Sequence, residues 1–273
     1  MFWLQKIKKR FRWVFRRPKR VGVAFGGGGS RGAANVGVLK VLVENKVPIH
    51  FIAGTSAGAL VGALFAGGLN IYDLIEVAKS IDWRKVAGFK FDDVFPLSEA
   101  GLEDLVIKHV GNKRVEDLRI PFAAVAADYK SGRKVVLNKG KLEHVVHASS
   151  AIPGVFNPVD LDGKLLMDGL VVDNVPADVV KDMGADYVIA IDVVPNVKLS
   201  GGPKNIRQHV ERAIDIASRN HCKEIYRDAD IVIHPVKENI SPLDFSKAEQ
   251  LVKFGEQAAL KVIGKIKKDL KIS

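Results

Sequence analysis

The chain contains 273 residues, of which 47% are hydrophobic, which suits a globular protein with ample length to bury a core. The formal net charge of +11 is local, because residues 1–20 hold nine Lys or Arg and no acidic residue, and the rest of the chain is nearly neutral. The single cysteine, Cys222, excludes an internal disulfide framework and fits a reducing compartment.

The first 17 residues predict an amphipathic helix that Pro18 ends. One face is apolar and partly aromatic, and the other is polar and mainly cationic: Trp3, Leu4, Ile7, Phe11, Val14 and Phe15 against Gln5, Lys9, Arg12 and Arg16. Such a helix is typical of a membrane interface with anionic head groups. We therefore interpret residues 1–20 as a basic amphipathic membrane-interface helix and residues 21–273 as one domain. A solvated tail and a nucleic-acid-binding arm are the alternatives, but neither needs so many aromatic residues, so no nucleic-acid partner is expected.

Residues 47–72 contain no Asp, Glu, Lys or Arg and are long enough to cross a bilayer. Five glycines, one proline and the pair Thr55-Ser56 interrupt this run, and a buried strand followed by a buried helix explains it better. The basic N-terminus also lacks the uninterrupted apolar segment of a secretory signal. We therefore expect a cytoplasmic protein that associates peripherally with the inner face of the membrane.

Strand and helix patterns alternate along the rest of the chain. Strands are predicted at residues 21–25, 122–128, 134–137, 165–167, 186–193 and 231–233, and helices up to about residue 45 and at 60–68, 72–80, 102–110, 142–151, 205–227 and 246–270. This order predicts an α/β fold: a three-layer α/β/α sandwich with a central, mostly parallel sheet. Residues 83–95 are irregular and carry Phe89, Phe91 and Phe95, and either a mobile hydrophobic flap or a packed loop fits them.

A glycine-rich loop, residues 26–32, follows the strand at residues 21–25. The Gly-x-Gly-x-x-Gly spacing from Gly27 to Gly32 also matches a dinucleotide fingerprint. The acidic residue expected about twenty residues later is missing, and no Lys-Ser or Lys-Thr follows the last glycine. Exposed backbone N–H groups beside a strand can equally form an oxyanion hole, with Arg31 nearby to orient or attract an anion.

The pentad Gly54-Thr55-Ser56-Ala57-Gly58 stands between an apolar run and an amphiphilic one. That context is typical of a nucleophile elbow, in which a strained strand-to-helix turn exposes a serine at a helix N-terminus. The small residues Gly54 and Gly58 allow the strand and the helix to pass closely. A packing turn rich in Gly and Ala explains the pentad equally well when it is taken alone.

Two further patterns contain polar residues suited to chemistry. Asp168-Gly169 follows a short predicted strand, and catalytic residues gather at strand ends in α/β sheets. His144 and His147 share a helix face and suggest a metal pair, but no Glu, Cys or third His stands at a matching spacing, which favours an ordinary polar helix face. No metal and no cofactor are therefore expected.

Together the three loops resemble the patatin-like phospholipase family, whose pattern is a Gly-Gly-Gly-x-Arg-Gly loop, Gly-x-Ser-x-Gly, and a later Asp-Gly-Gly or Asp-Gly-Ala. The resemblance covers about residues 21–233 and rests on Gly27, Gly28, Gly29, Arg31, Gly32, Gly54, Ser56, Gly58, Asp168 and Gly169, with supporting matches at residues 148–153, Asn174 and Pro176. Two positions depart from it: Leu170 replaces the usual Gly or Ala, and Gly26 stands where plant members have Asp.

The resemblance implies a serine lipid acyl hydrolase of the phospholipase A or lysophospholipase type with a Ser/Asp dyad. Ser56 would attack an ester carbonyl of a phospholipid or other acyl-ester lipid, and Asp168 would take the serine proton. The oxyanion loop would comprise Gly27, Gly28, Gly29, Arg31 and Gly32, with the N–H groups of Gly28 and Gly29 as donors. A carboxylate is a weak base at its usual pKa, so Asp168 needs a partly apolar site, which Leu166, Met167 and Leu170 would supply.

Three alternatives to this function stay open at this point. A Ser/His/Asp triad would require a later histidine, His209, His221 or His234, none of which lies in a predicted strand-end loop. A membrane-associated scaffold without catalysis would keep the fold and lose the reaction. A nucleotide-binding module would use the glycine loop as a phosphate cradle.

Overall fold

The computed structural model describes residues 17–80, 100–153, 156–197, 202–203 and 205–273. The predicted N-terminal helix, apart from Arg17, and the irregular segment at residues 83–95 lie outside these ranges. The described chain forms an α/β domain whose central sheet carries helices on both faces, as predicted.

Eight strands of the described residues form one mixed sheet. Pairing runs in the order β5-β6-β3-β2-β1-β7-β8, and β4 also pairs with β3. The central pairs among β3, β2, β1, β7 and β8 are parallel, whereas β4, β5 and β6 pair antiparallel. The strands are β1 Val21–Phe25, β2 Phe51–Thr55, β3 Phe122–Asp128, β4 Lys134–Leu137, β5 Val159–Leu161, β6 Lys164–Asp168, β7 Tyr187–Ile191 and β8 Ile231–Ile233.

The helices connect the strands and cover the sheet. They are α1 Ala33–Glu44, α2 Ala57–Ala66, α3 Ile71–Ser80, α4 Ala100–Val110, α5 Leu142–Ser149, α6 Ala177–Asp182, α7 Ile206–Ile225 and α8 Ala248–Leu270. None of the helices in the described ranges combines the length and the apolar character that crossing a membrane requires.

Side chains of the described central strands alternate between the two faces of the sheet and contribute to a core on each face. Val23, Ile52 and Ile189 face a core shared with α1, α2 and α8, while Ala24 and Ala53 face a core shared with α6. The alternation follows from the two-residue period of a strand. The small residues of the second face allow α6 to approach the sheet closely, since a Cβ at Gly22 would lie 1.9 Å from Val180 of that helix.

The strand predictions at residues 21–25, 122–128, 134–137 and 231–233 are confirmed with the same bounds. The uncharged run at residues 47–72 is a buried strand followed by a helix, as interpreted, and α3 begins at its end. Strand β5 was not predicted, because three half-exposed residues provide little periodicity. The turn Asp162-Gly163, with φ of 53° and 77°, is the local signal that could have identified the β5–β6 hairpin.

Candidate active site

Ser56 lies at the sharp turn between β2 and α2. Its backbone has φ of 54° and ψ of −124°, a left-handed conformation that is strained for a residue with a side chain. A Cβ at Gly54 would come within 2.5 Å of the Gly58 carbonyl oxygen, and a Cβ at Gly58 within 2.2 Å of the Phe25 carbonyl oxygen. The two glycines of the pentad therefore permit β1, β2 and α2 to meet closely enough to form this turn.

A short hydrogen-bonded chain holds the turn in place. The Ser56 N–H donates to Ser149 Oγ at 3.0 Å, and Ser149 Oγ donates to the Val125 carbonyl oxygen at 2.6 Å. Ser149 is fully buried at the end of α5. The sequence indicated this segment only as part of the family surroundings and did not assign Ser149 a role. Its bonds link the backbone of Ser56 to the neighbouring strand β3.

Asp168 reaches Ser56 because β2 and β6 use the same edge of β3. Strand β2 pairs with β3 as far as Val125, β6 pairs with it from Ala126 onward, and β4 overlaps both segments. A strand has only two edges, so β4 occupies one edge, and β2 and β6 follow each other along the opposite edge. Thr55 faces Val125 and Asp168 faces Ala126, which places the serine turn next to the end of β6.

The chain after Asp168 crosses the ends of the central strands. Gly169 lies over β3, where a Cβ would come within 2.3 Å of the Val125 carbonyl oxygen. The Asp173 carbonyl oxygen then accepts a hydrogen bond from Thr55 Oγ1 at 2.9 Å, at the end of β2. This path explains why glycine follows Asp168: a side chain would prevent the crossing.

Burial changes the acidity of Asp168. The side chain is fully buried, its Oδ1 accepts a hydrogen bond from the Leu170 N–H at 2.9 Å, and its Oδ2 has no partner in hydrogen-bond geometry. Burial disfavours the carboxylate and raises its pKa to about 7, although contact with the Ser56 hydroxyl and the bond from Leu170 lower the pKa. Leu166 and Leu170 are buried beside it, as expected for a partly apolar site.

The glycine loop lies against Ser56 and is held by Asn174. The Gly27 N–H donates to the Asn174 carbonyl oxygen at 3.2 Å, and Asn174 Nδ2 donates to the Gly27 carbonyl oxygen at 3.2 Å. A Cβ at Gly27 would come within 3.0 Å of Ser56 Cβ. Within the described part of the chain, no hydrogen bond uses the N–H of Gly28 or Gly29. These two donors are free, whereas the Gly27 N–H is engaged.

Arg31 does not offer its guanidinium to the site. The side chain is 2% exposed and pairs with both carboxylate oxygens of Asp215, at 2.7 Å and 3.1 Å. Its Nε donates to the Ile240 carbonyl oxygen at 2.7 Å. This corrects the expectation that Arg31 orients or attracts an anion, because its charge is already neutralised within the protein. The Gly32 position serves packing, since a Cβ there would come within 2.5 Å of Ala57 Cβ.

A cleft of about 280 Å³ opens beside the glycine loop and the turn after Asp168. Its walls come from the glycine loop, the turn after Asp168, helix α7 and residues 242–243, and are mostly apolar: Ile152, Pro153, Leu170, Val194, Val210, Ile214, Pro242 and Leu243. Ser56 is 2% exposed and does not line the cleft itself, but it lies next to Gly27, which does. The cleft suits an apolar chain, and Val210 and Leu243 are exposed at its rim.

The candidate triad histidines do not approach this position in the described residues. His234 lies at the end of β8, three strands from β2 and so about 14 Å across the sheet. Its Nδ1 lies 3.5 Å from Asp192 Oδ2. His209 is exposed on α7, and the side chain of His221 is outside the described part. Among the side chains that the structure describes, Asp168 contacts Ser56 and no histidine lies between them.

His144 and His147 face α4. His147 is buried with its Nδ1 at 2.8 Å from Glu103 Oε1, and His144 Nε2 lies 3.7 Å from Glu103 Oε2. The interpretation as an ordinary polar helix face is therefore wrong for His147, which is a buried partner of Glu103. Among the described residues, no group of three or more His, Cys, Asp or Glu could hold a metal ion.

Comparison with known proteins identifies the family. Residues 23–181 match the family model described as Patatin-like phospholipase. The chain is 33% identical over 214 residues to Patatin-like phospholipase domain-containing protein 7 of Rattus norvegicus, a match that covers 70% of this chain and 16% of that protein. It is 37% identical over 180 residues to an uncharacterized NTE family protein of Mycobacterium bovis. That match covers 64% of this chain and 49% of that protein. The chain is 31% identical over 181 residues to Lysophospholipase nte1 of Aspergillus fumigatus. That match covers 64% of this chain and 12% of that protein.

Two solved structures share the fold. VipD from Legionella pneumophila has a TM-score of 0.58 at 14% identity, covering 91% of this chain and 67% of that one. The type III effector protein ExoU has a TM-score of 0.53 at 14% identity, and the match covers 91% of this chain and 53% of that one. The chain spans about half or less of the length of the three relatives found by sequence. The family model covers more than half of this chain, and the chain belongs to the patatin-like phospholipase family.

Proposed function

We propose that this chain is a serine lipid acyl hydrolase that cleaves fatty acyl esters through an acyl-Ser56 intermediate, with Asp168 as the general base. The observation that carries the proposal is the burial of Asp168 beside Ser56, which raises the pKa of the carboxyl to about 7. A general base is most effective when its pKa lies near the working pH. Family membership supports a lipid ester hydrolase, and the Ser/Asp dyad is the specific mechanism we add.

The reaction begins when Ser56 Oγ attacks the ester carbonyl carbon and its proton passes to Asp168 Oδ2, which has no other hydrogen-bond partner. The free N–H groups of Gly28 and Gly29 stabilise the tetrahedral oxyanion, and loss of one such donor typically costs about 3 kcal/mol. Asp168 then returns the proton to the leaving alcohol. Water hydrolyses the acyl enzyme with Asp168 again as the base.

The substrate is a phospholipid or another acyl-ester lipid. The mostly apolar cleft beside the glycine loop suits a fatty acyl chain, and the exposed Val210 and Leu243 lie where the chain enters. Two relatives carry the names lysophospholipase and neuropathy target esterase, which fits a phospholipase A or lysophospholipase type of activity. No cofactor takes part in the steps above.

The membrane contact is assigned to residues 1–17, with the protein bound peripherally at the cytoplasmic face. These residues and the three that follow contain nine Lys or Arg, each contributing about 1 kcal/mol near an anionic surface before ordering costs. Deleting residues 1–18 is expected to lower binding to anionic vesicles and to leave turnover of a soluble short-chain ester nearly unchanged. Equal vesicle binding with and without the segment would contradict this assignment.

Labelling with a fluorophosphonate tests the catalytic proposal, because the probe modifies only an activated serine. Wild-type protein is expected to label at Ser56, and Ser56→Ala and Asp168→Asn are each expected to abolish both labelling and ester hydrolysis. Matched controls are Ser131→Ala and Asp160→Asn, which change exposed residues and should react like the wild type. A folded wild-type protein with no adduct would favour the non-catalytic scaffold instead.

A further inference from the structure

Helix α7 supplies a buried acid to the loop that lines the cleft. Asp215 is buried on the side of α7 that faces the glycine loop. Its two carboxylate oxygens pair with the two terminal nitrogens of Arg31 at 2.7 Å and 3.1 Å. A bidentate pair of this kind fixes the orientation of the guanidinium plane as well as its position.

Residues 240–242 hold the same part of the loop from the other side. Arg31 Nε donates to the Ile240 carbonyl oxygen at 2.7 Å. The Ser30 N–H donates to the Pro242 carbonyl oxygen at 2.7 Å, and Ser30 Oγ donates to the Ser241 carbonyl oxygen at 3.0 Å. All three bonds come from Ser30 and Arg31, the two residues that follow Gly29, so the loop is held immediately after its free N–H groups.

The fit around Gly29 leaves no space for the loop to shift toward residues 240–242. Gly29 has φ of 57°, and a Cβ there would lie 2.2 Å from the Pro242 carbonyl oxygen. An oxyanion hole works only when its donors lie about 2.7–3.1 Å from the oxyanion. A displacement of about 1 Å, even one that originates outside the reacting atoms, is enough to lower a rate by about 100-fold.

We propose that Asp215 is a positioning residue for the reaction: through Arg31 it holds the N–H groups of Gly28 and Gly29 where the oxyanion forms. The inference rests on the proposed function and adds a residue on α7 to it. The same helix contacts the other half of the site, because Ser218 Oγ donates to the Leu170 carbonyl oxygen at 3.3 Å, and the Leu170 N–H binds Asp168. Helix α7 thus contacts both the oxyanion loop and the turn that carries the base.

The variant Asp215→Asn tests this role, because it keeps the shape of the side chain and weakens the pair with Arg31. We expect kcat for a soluble short-chain ester and the rate of fluorophosphonate labelling to fall about tenfold or more, with KM nearly unchanged, since the oxyanion contact is made in the transition state. The matched control is Glu256→Gln, which removes the partner of Lys40 between α1 and α8 and should leave both rates unchanged. Wild-type rates in folded Asp215→Asn would overturn the inference.

A double-mutant cycle with Arg31→Met and Asp215→Leu separates positioning from a general loss of stability. Each single variant leaves one buried charge without a partner, whereas the double variant removes both charges and is expected to fold. If Asp215 acts through Arg31, the double variant labels about as slowly as the slower single variant. A folded double variant that labels at the wild-type rate, or effects that multiply, would overturn the inference. Failure of wild-type Ser56 to label at all would instead refute the proposed function.

Discussion

Replacing Asp168 with Asn should inactivate the protein and should raise its stability relative to the wild type progressively as the pH increases. The pKa of Asp168 is about 7 in the folded protein and 3.8 without the fold. Between these values the folded state binds more protons than the unfolded state. The stability of the wild type therefore falls as pH rises through this window. The Asp168→Asn variant does not titrate at this position, so its stability does not fall for this reason.

The magnitude follows from the size of the pKa shift. A shift from 3.8 to about 7, at about 1.4 kcal/mol per pKa unit, corresponds to roughly 4 kcal/mol once both states are ionised. Integration between pH 5 and pH 8 yields a change of about 2.5 kcal/mol in the stability difference between Asp168→Asn and the wild type. An Asn amide without a partner at the position of Oδ2 adds a constant cost, which cancels when two pH values are compared.

Urea unfolding followed by circular dichroism at pH 5, 6, 7 and 8 measures this difference. Asp173 also has a raised pKa, to about 6, because it is buried, but it is present in both proteins and its contribution cancels. Asp160→Asn serves as the control for an exposed acid and should follow the wild-type curve. Parallel pH curves for Asp168→Asn and the wild type would refute the argument, because they would show that Asp168 does not titrate between these pH values.

The remaining predictions concern the reaction and its substrate. The rate of fluorophosphonate labelling of Ser56 should rise with pH through about 7 and then level off, because the base is the carboxylate form of Asp168; a pH-independent rate from 5 to 9 would contradict this. Leu243→Glu, at the cleft rim, should lower hydrolysis of phospholipid vesicles severalfold and spare a soluble short-chain ester, whereas Leu260→Glu on α8 should affect neither. His234→Ala should retain full esterase activity, since His234 lies about 14 Å away across the sheet, and loss of activity would restore the triad hypothesis.

The sequence alone predicted the motifs whose glycines are required by close contacts of the backbone. Glycines of the loop after β1, of the Gly-x-Ser-x-Gly pentad and of the Asp168-Gly169 pair stand where a Cβ would come too close to another part of the protein. At Gly58, for example, a Cβ would come within 2.2 Å of the Phe25 carbonyl oxygen. Such a constraint leaves a recognisable residue at a recognisable spacing, and these spacings carry the family resemblance that implied the Ser/Asp pair. The class of fold was predicted separately, from the alternation of strand and helix patterns.

Only the tertiary structure decided how these pieces work together. Nothing in the sequence indicates that β6 continues along the edge of β3 that β2 leaves, which is what brings Asp168 to Ser56. Arg31 was expected to orient or attract an anion, yet its guanidinium pairs with Asp215, 184 positions later in the chain. His147 likewise meets Glu103 across 44 positions. Long-range pairs of this kind depend on which surfaces the fold brings into contact and on the burial that results, and neither leaves a periodic or local signal in the chain.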